Sequence, residues 1–379
     1  MIPALSGPAA NESNETSRPG PAGTPGRREG LPRRPALLSM ALALAVAALC
    51  LGGCRRNSAP VLLDEAFVAA RPGLASSFRS LQGGVLGKGG AYAEIGLARG
   101  PEELVGEARK AGFAAVGQGR GAIVTSPLLA AALVAGEKAL GLGGSMADGG
   151  GIQALGGLGL VVPEWQGGPL PQVTPVNTEP SKAFESAGRA AGAFIAALRR
   201  SGQASATGGL LFRETPSRGR EALEAFSRGF LAAAGVEPAI EVLGKGETMD
   251  ESVASVGRLL AVDLRIVLVA TGRDARAACK ALDRPGLAVG IESPDPADWP
   301  RSAFAIVPDD RGLARAAIAA AERLGKAPGS RLGDIGVPAL LLAYPGAGSF
   351  PAGDADLGRL LAAEGAIRTG KPPSASAGR

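Results

Sequence analysis

From about residue 60 the chain alternates short apolar runs with stretches whose apolar positions recur every three to four residues, the two periods that separate strands from helices. Pro60–Leu63 (PVLL), Tyr92–Leu97 (YAEIGL), Gly121–Thr125 (GAIVT) and Leu158–Val162 read as strands, with Ala139–Leu142 a further short candidate. Pro101–Ala111 (PEELVGEARKA) reads as a helix, with Pro at its start, acids in its first turn and Gly112 to stop it. Leu128–Lys138 reads as a second helix after the Ser126-Pro127 corner, and Gly143–Gly157 is a glycine-dense loop.

The second half is more regular. Strands are predicted at Val173–Val176, Gly209–Phe212, Ala239–Leu243, Arg265–Ala270, Leu287–Ile291 and Phe304–Val307. Helices fall between them at Ser181–Arg200, Arg218–Ala234, Ser252–Leu260, Asp274–Leu282 and Arg311–Leu324. Near-continuous apolar strands in βα alternation mean parallel sheets covered on both faces. About 270 residues of this pattern exceed one ordinary sheet, so the expected fold class is α/β with two doubly wound lobes. The organisation predicted is an N-terminal lobe over 60–175, a C-terminal lobe over 176–300, crossover and return elements over 301–368, and a disordered tail over 369–379.

Residues 1–32, rich in Pro, Gly, Ser and Arg, lack apolar periodicity and read as a disordered leader. Arg33 and Arg34 then precede the uncharged run Ala36–Gly53, so 33–53 has the layout of a secretory signal. Leu51-Gly52-Gly53-Cys54 resembles the bacterial lipobox, in which small residues precede a Cys that accepts diacylglycerol and becomes the new N-terminus. Cys50 fits less well, because Leu49 occupies the small-residue place. Residues 54–59 would then be a tether. A plain N-terminal membrane helix is the competing reading, the run being just long enough to span. The leader is long for such a signal, which places a translation start near Leu31.

Composition narrows the chemistry. The 379 residues include no histidine, which removes the usual general base, the commonest metal ligand and every His-dependent nucleophile arrangement. Three cysteines without a CxxC pair do not build a metal centre by themselves. With Cys54 acylated and Cys279 left alone, no disulfide is expected. Gly (58) and Pro (29) make up almost a quarter of the chain, so glycine-rich motifs carry little weight. Of the net charge of +5, residues 1–53 supply two, with five Arg against three Glu, and the rest is interspersed. No basic stripe interleaved with aromatics appears, so nucleic-acid binding is not expected. The acid pairs Asp309-Asp310 and Asp295/Asp298 read as solvated turns, and neither an enzyme nor a cofactor is expected.

Over roughly residues 60–345 the order of elements resembles the type 1 periplasmic binding protein family, the solute receptors of ABC transporters. GAIVTSPLLAAALVAGEKAL resembles the family's strand, Ser-Pro corner and helix. VTPVNTEPSKAFESAGRAAGAFIAAL resembles its crossover strand and the long helix that opens the second lobe. GGLLFRETPSRGREALEAFSRGFLAAAG, RIVLVATGRDARAACKALDRPGLAVGIES and FAIVPDDRGLARAAIAAAERL resemble successive units of that lobe and the return helix. The Gly-Phe followed by a small-residue helix end is similar to the basic membrane lipoprotein branch, whose known members bind nucleosides.

Taken with the lipobox resemblance, this implies a monomer, lipid-anchored at Cys54 and facing the periplasm or exterior. It would hand a small polar ligand, a nucleoside, sugar or similar, to an ABC permease; an envelope sensor or structural partner of the same fold is the alternative. It also places the ligand beyond the carboxyl ends of the strands, at Asp64, Phe67, Ser126, Arg213, Thr215, Thr271 and Glu292. Arg213 would clamp an anionic or carbonyl group, Asp64 and Glu292 would accept from hydroxyls or amines, and Phe67 would stack on a ring. Against these stand plain structural roles: helix N-caps for the Ser and Thr residues, a surface ion pair of Arg213 with Glu214, and core packing for Phe67. Ile306, where sugar-binding relatives carry a polar residue, argues against a hexose or pentose.

Overall fold

Leu264–Ala270 (LRIVLVA) is an apolar run broken only by Arg265, and in the computed structural model it is an interior strand of a seven-stranded sheet. The structure describes residues 59–82, 92–95, 121–125, 130, 159–164, 173–215, 219–244, 249–294, 301–326, 332–344 and 356–369. In chain order the elements begin with strand β1 (Val61–Asp64), helices α1 (Glu65–Ala70) and α2 (Pro72–Gln82), and strands β2 (Tyr92–Ile95), β3 (Ala122–Val124), β4 (Leu160–Pro163) and β5 (Val173–Glu179). Next come α3 (Ser181–Arg200), β6 (Thr207–Arg213), α4 (Arg220–Ala234), β7 (Ala239–Leu243), α5 (Met249–Leu259) and β8 (Leu264–Ala270). A short 3-10 turn, Gly272–Asp274, leads into α6 (Ala275–Ala281), then β9 (Ala288–Glu292), β10 (Phe304–Val307) and α7 (Asp310–Lys326). The described chain closes with β11 (Ile335–Pro338), β12 (Leu340–Ala343), α8 (Leu357–Ala363) and β13 (Ile367–Arg368).

The strands form two sheets. The first has the order β11-β5-β4-β3-β1-β2 and is parallel throughout. The second has the order β13-β12-β10-β9-β8-β6-β7, parallel from β7 to β10. There β12 runs antiparallel to β10, with Leu340 opposite Val307, and β13 runs parallel to β12. Helices α3, α4 and α8 cover one face of the second sheet, around Phe184, Phe194, Phe212, Phe226, Phe230 and Phe304. Phe184 meets Phe212 edge-on, ring centroids 6.3 Å apart. Helices α5 and α6 cover the other face, where Cys279 is fully buried beside Val267, Val269 and Ile291. On the first sheet α2 and α7 pack Leu74, Phe78, Leu313, Ala317 and Leu324 against Leu63, Ile123, Val161 and Val176. Among the described residues no helix is long and apolar enough to cross a membrane.

The predicted fold class is therefore the observed one. Helix Ser181–Arg200 and strands Ala239–Leu243 and Phe304–Val307 fall on the predicted bounds, and most other predicted elements lie within one or two residues of theirs. Strand β5 continues three residues past Val176 to Glu179. Six elements had no counterpart in the sequence reading: α1, α2, β11, β12, α8 and β13. Arg71-Pro72-Gly73 interrupts the helical pattern between α1 and α2, and α1 is only six residues long. Strand β11 (IGVP) carries Gly and Pro, composition that argues against a strand except at an edge, which is where it lies. The predicted helices Pro101–Ala111 and Leu128–Lys138, the candidate Ala139–Leu142, the loop Gly143–Gly157, and nearly all of the leader, signal and tether 1–59 fall outside the described residues, as does the tail beyond Thr369.

Candidate functional site

Three times the chain passes between the sheets. It leaves the carboxyl end of β5 at Glu179 and Pro180 to begin α3 on the second sheet. It returns from the carboxyl end of β10 at Val307 into α7 on the first sheet. It crosses again from the end of β11 at Pro338 into β12, whose first residue Leu340 lies beside Val307. All three passages join carboxyl edges, so the strand ends of the two sheets are turned toward one junction. In open α/β sheets this edge is where ligands are held, because the loops there carry polar groups and unsatisfied helix N-termini.

On the second sheet, β6 ends at Arg213, whose Nη2 reaches Asp274 at 2.8 Å and the buried Ser252 hydroxyl at 3.3 Å. The guanidinium therefore bridges the end of β6, the start of α5 and the turn after β8. Glu214, the partner considered from sequence, is exposed, and Arg213 turns inward to Asp274. Thr271 follows β8 directly and is 1% exposed, and its hydroxyl has no hydrogen-bond partner among the described residues. It occupies the N-cap position of the 3-10 turn but makes no side-chain cap bond, so the capping role considered from sequence does not explain it. Thr215 and Glu292 are half-buried beyond β6 and at the end of β9.

On the first sheet, Asp64 ends β1 and is buried. Its Oδ1 accepts from the Phe67 backbone N–H at 2.8 Å as the N-cap of α1, and its own N–H donates to Thr125 Oγ1 at 3.2 Å. Phe67 is half-buried against the first sheet's core. Ser126 and Cys54 lie outside the described residues, as do Asp295 and Asp298. Arg71, between α1 and α2, pairs with Glu164 beyond β4 and with Asp310 at 2.6 Å at the start of α7, a cluster the sequence reading missed. Burial would weaken the guanidinium's hold on its proton, but Glu164 and Asp310 outweigh it and hold Arg71 above the usual arginine range. Burial also lifts the Asp310 carboxyl above the usual aspartate range, against the opposing pull of Arg71.

The reading of Asp309-Asp310 as a solvated turn is corrected here. Asp309 caps α7, its Oδ1 accepting from Gly312 at 2.9 Å, and Asp310 is ion-paired. Spacing from Arg71 to its partners across 93 and 239 residues left no local signal of the cluster. A cavity of about 210 Å³ opens where the end of β5 meets the first turns of α3 and α4, lined by Asn177, Glu179, Ser181, Glu221 and Asp334. Among the described residues no group of three or more Cys, Asp or Glu is placed to hold a metal ion.

No protein-family model and no curated protein sequence matches the chain. Solved structures do. A transcriptional activator of the comK gene from Bacillus halodurans superposes with a TM-score of 0.50 at 11% identity, over 81% of this chain and 96% of that one. The likeness is of an α/β fold with mostly parallel sheets. An ABC transporter solute-binding protein from Aeropyrum pernix K1 matches at TM-score 0.44 and 10% identity, over 81% of this chain and 85% of that one. A probable LacI family transcriptional regulator from Corynebacterium glutamicum matches at 0.42 and 15%, over 74% and 96%. Fold neighbours thus include both solute-binding proteins and regulators, and at these identities the likeness is one of fold alone.

Proposed function

We propose that this chain is a solute-binding protein, anchored by lipid at Cys54 outside the cytoplasm, whose two lobes close on a small polar ligand for delivery to an ABC permease. The observation that carries the reading is the buried Thr271 hydroxyl, left without a partner at the strand edge where the three passages converge. Buried hydroxyls in folded proteins are nearly always satisfied, and one that is not marks a place where a ligand or water completes the bond. Arg213, at the end of the neighbouring strand, is already engaged by Asp274, and Arg71, on the first sheet, by Glu164 and Asp310. That favours an uncharged ligand rich in hydroxyl or amide groups, a nucleoside foremost, over an anion.

Thermal unfolding of the processed form in the presence of nucleosides, sugars, amino acids and organic acids tests this. A ligand at a hundredfold its dissociation constant adds about 2.7 kcal/mol, and Thr271→Val should abolish that gain. No stabilisation by any of them would favour the sensor or structural reading. Metabolic labelling with an alkyne palmitate tests the anchor: label should appear on the wild type and disappear in Cys54→Ser, and an unlabelled wild type would overturn it.

A further inference from the structure

We propose that Arg71 is the positioning residue of the hinge between the two sheets: by clasping Glu164 and Asp310 it sets the angle at which the crossover segments leave the first lobe. Asp310 is the first residue of α7 and stands three positions after Val307, the last residue of the second sheet before the chain returns. Glu164 holds β5 twice, its N–H donating to Val176 O at 2.8 Å and its Oε1 accepting from Thr178 Oγ1 at 3.0 Å. Thr178 lies two positions before Pro180, where the first passage begins. The third passage is tied to the first, since the Ala339 N–H donates to Glu179 O at 3.0 Å and Pro338 pairs with Glu179. One guanidinium therefore reaches all three crossover segments, directly or through a short chain of bonds.

The surroundings are shaped to allow this clasp. Glu164 takes a left-handed backbone, φ 53°, which disfavours any residue but Gly and persists where neighbours enforce it. Gly73 leaves room for Asp310, since a Cβ built there would come within 2.2 Å of Asp310 Oδ2. A side chain at 73 would push that carboxylate off Arg71. The titratable groups facing Asp310 are Arg71, Glu164 and Asp309, and the Asp309 carboxylate is engaged in capping α7. Half-buried charges of this kind stabilise a fold poorly compared with apolar packing, but they fix one geometry, because the guanidinium fork bonds well in a single orientation.

The test needs no ligand. Nitroxides attached through encoded azido residues at the exposed positions Ser80 on α2 and Lys280 on α6 report the distance between the lobes in the full chain by pulsed electron resonance. Arg71→Met should broaden the distance distribution while the circular dichroism spectrum is kept. Arg71→Lys, a point charge without the fork, should fall between the two. A role confined to stabilising the first lobe would lower Tm and leave the distribution at its wild-type width, and that result overturns the proposal. Should Arg71→Met not fold, Asp310→Asn and Glu164→Gln take its place. Each replaces a charge-assisted bond by a neutral one and should broaden the distribution; wild-type widths in both would overturn the proposal.

Discussion

Gly229 of α4 lies against the backbone of α3 so closely that a Cβ built on it would stand 2.2 Å from the Glu185 carbonyl oxygen. Gly188 makes the reciprocal approach, 2.3 Å from Phe226 O. The two helices therefore pack backbone to backbone over the second sheet. In an open helix Gly→Ala gains about 1 kcal/mol, but here the methyl must force the helices apart. Gly229→Ala should destabilise by roughly 1–3 kcal/mol, the ordinary cost of overpacking, read from urea unfolding. A neutral or stabilising result would mean that α3 and α4 are further apart than described.

Gly257 supplies the contrast. It lies on the exposed side of α5 with nothing within 4 Å of a built Cβ. Gly257→Ala should stabilise by about 0.5–1 kcal/mol through lost unfolded-state freedom, seen as a higher urea midpoint with unchanged slope.

Removal of the Thr271 hydroxyl should separate stability from binding. Valine nearly matches threonine in shape and removes a buried oxygen that has no partner among the described residues. Thr271→Val should raise stability by about 1–3 kcal/mol in differential scanning calorimetry without ligand. A loss of stability would show that the hydroxyl is satisfied in solution by water or protein.

The left-handed backbone at Glu164 predicts a difference between two substitutions. Glycine adopts φ near 53° freely, whereas alanine pays roughly 1–2 kcal/mol there. Both lose the bonds to Arg71 and Thr178, so Glu164→Gly should be more stable than Glu164→Ala by about that margin in chemical denaturation. Equal midpoints would place the residue outside the left-handed region.

Asp310 gives the pH dependence. Its carboxyl is raised by burial despite Arg71, so its contribution to stability is fully present below the unfolded value, near 3.8, and is lost as pH rises through the folded value. Asp310→Asn, neutral at every pH, should track the wild type in acid and become relatively more stable toward neutral pH. Urea titrations across the carboxylate range check the sign. A mutant that loses ground to the wild type as pH rises would mean that the ion pair outweighs desolvation.

Local pattern carried much of the architecture. The run LRIVLVA announces a doubly covered strand by itself, and the apolar positions recurring at helical spacing through Ser181–Arg200 announce a helix, because burial and periodicity are written residue by residue. The same local grammar marked Arg213 and Thr271 as strand-end positions, since the end of an apolar run is visible in the chain. Tertiary structure alone decided what those positions do. Whether Arg213 faces Glu214 or Asp274 depends on how α5 and the turn after β8 pack, and whether Thr271 caps a helix depends on a turn geometry that no spacing encodes. Arg71 is the extreme case. Its partners lie 93 and 239 residues away, brought to it only when the chain has crossed between the sheets and returned. An ion cluster is a relation between distant residues held in low dielectric, and composition has no record of distance.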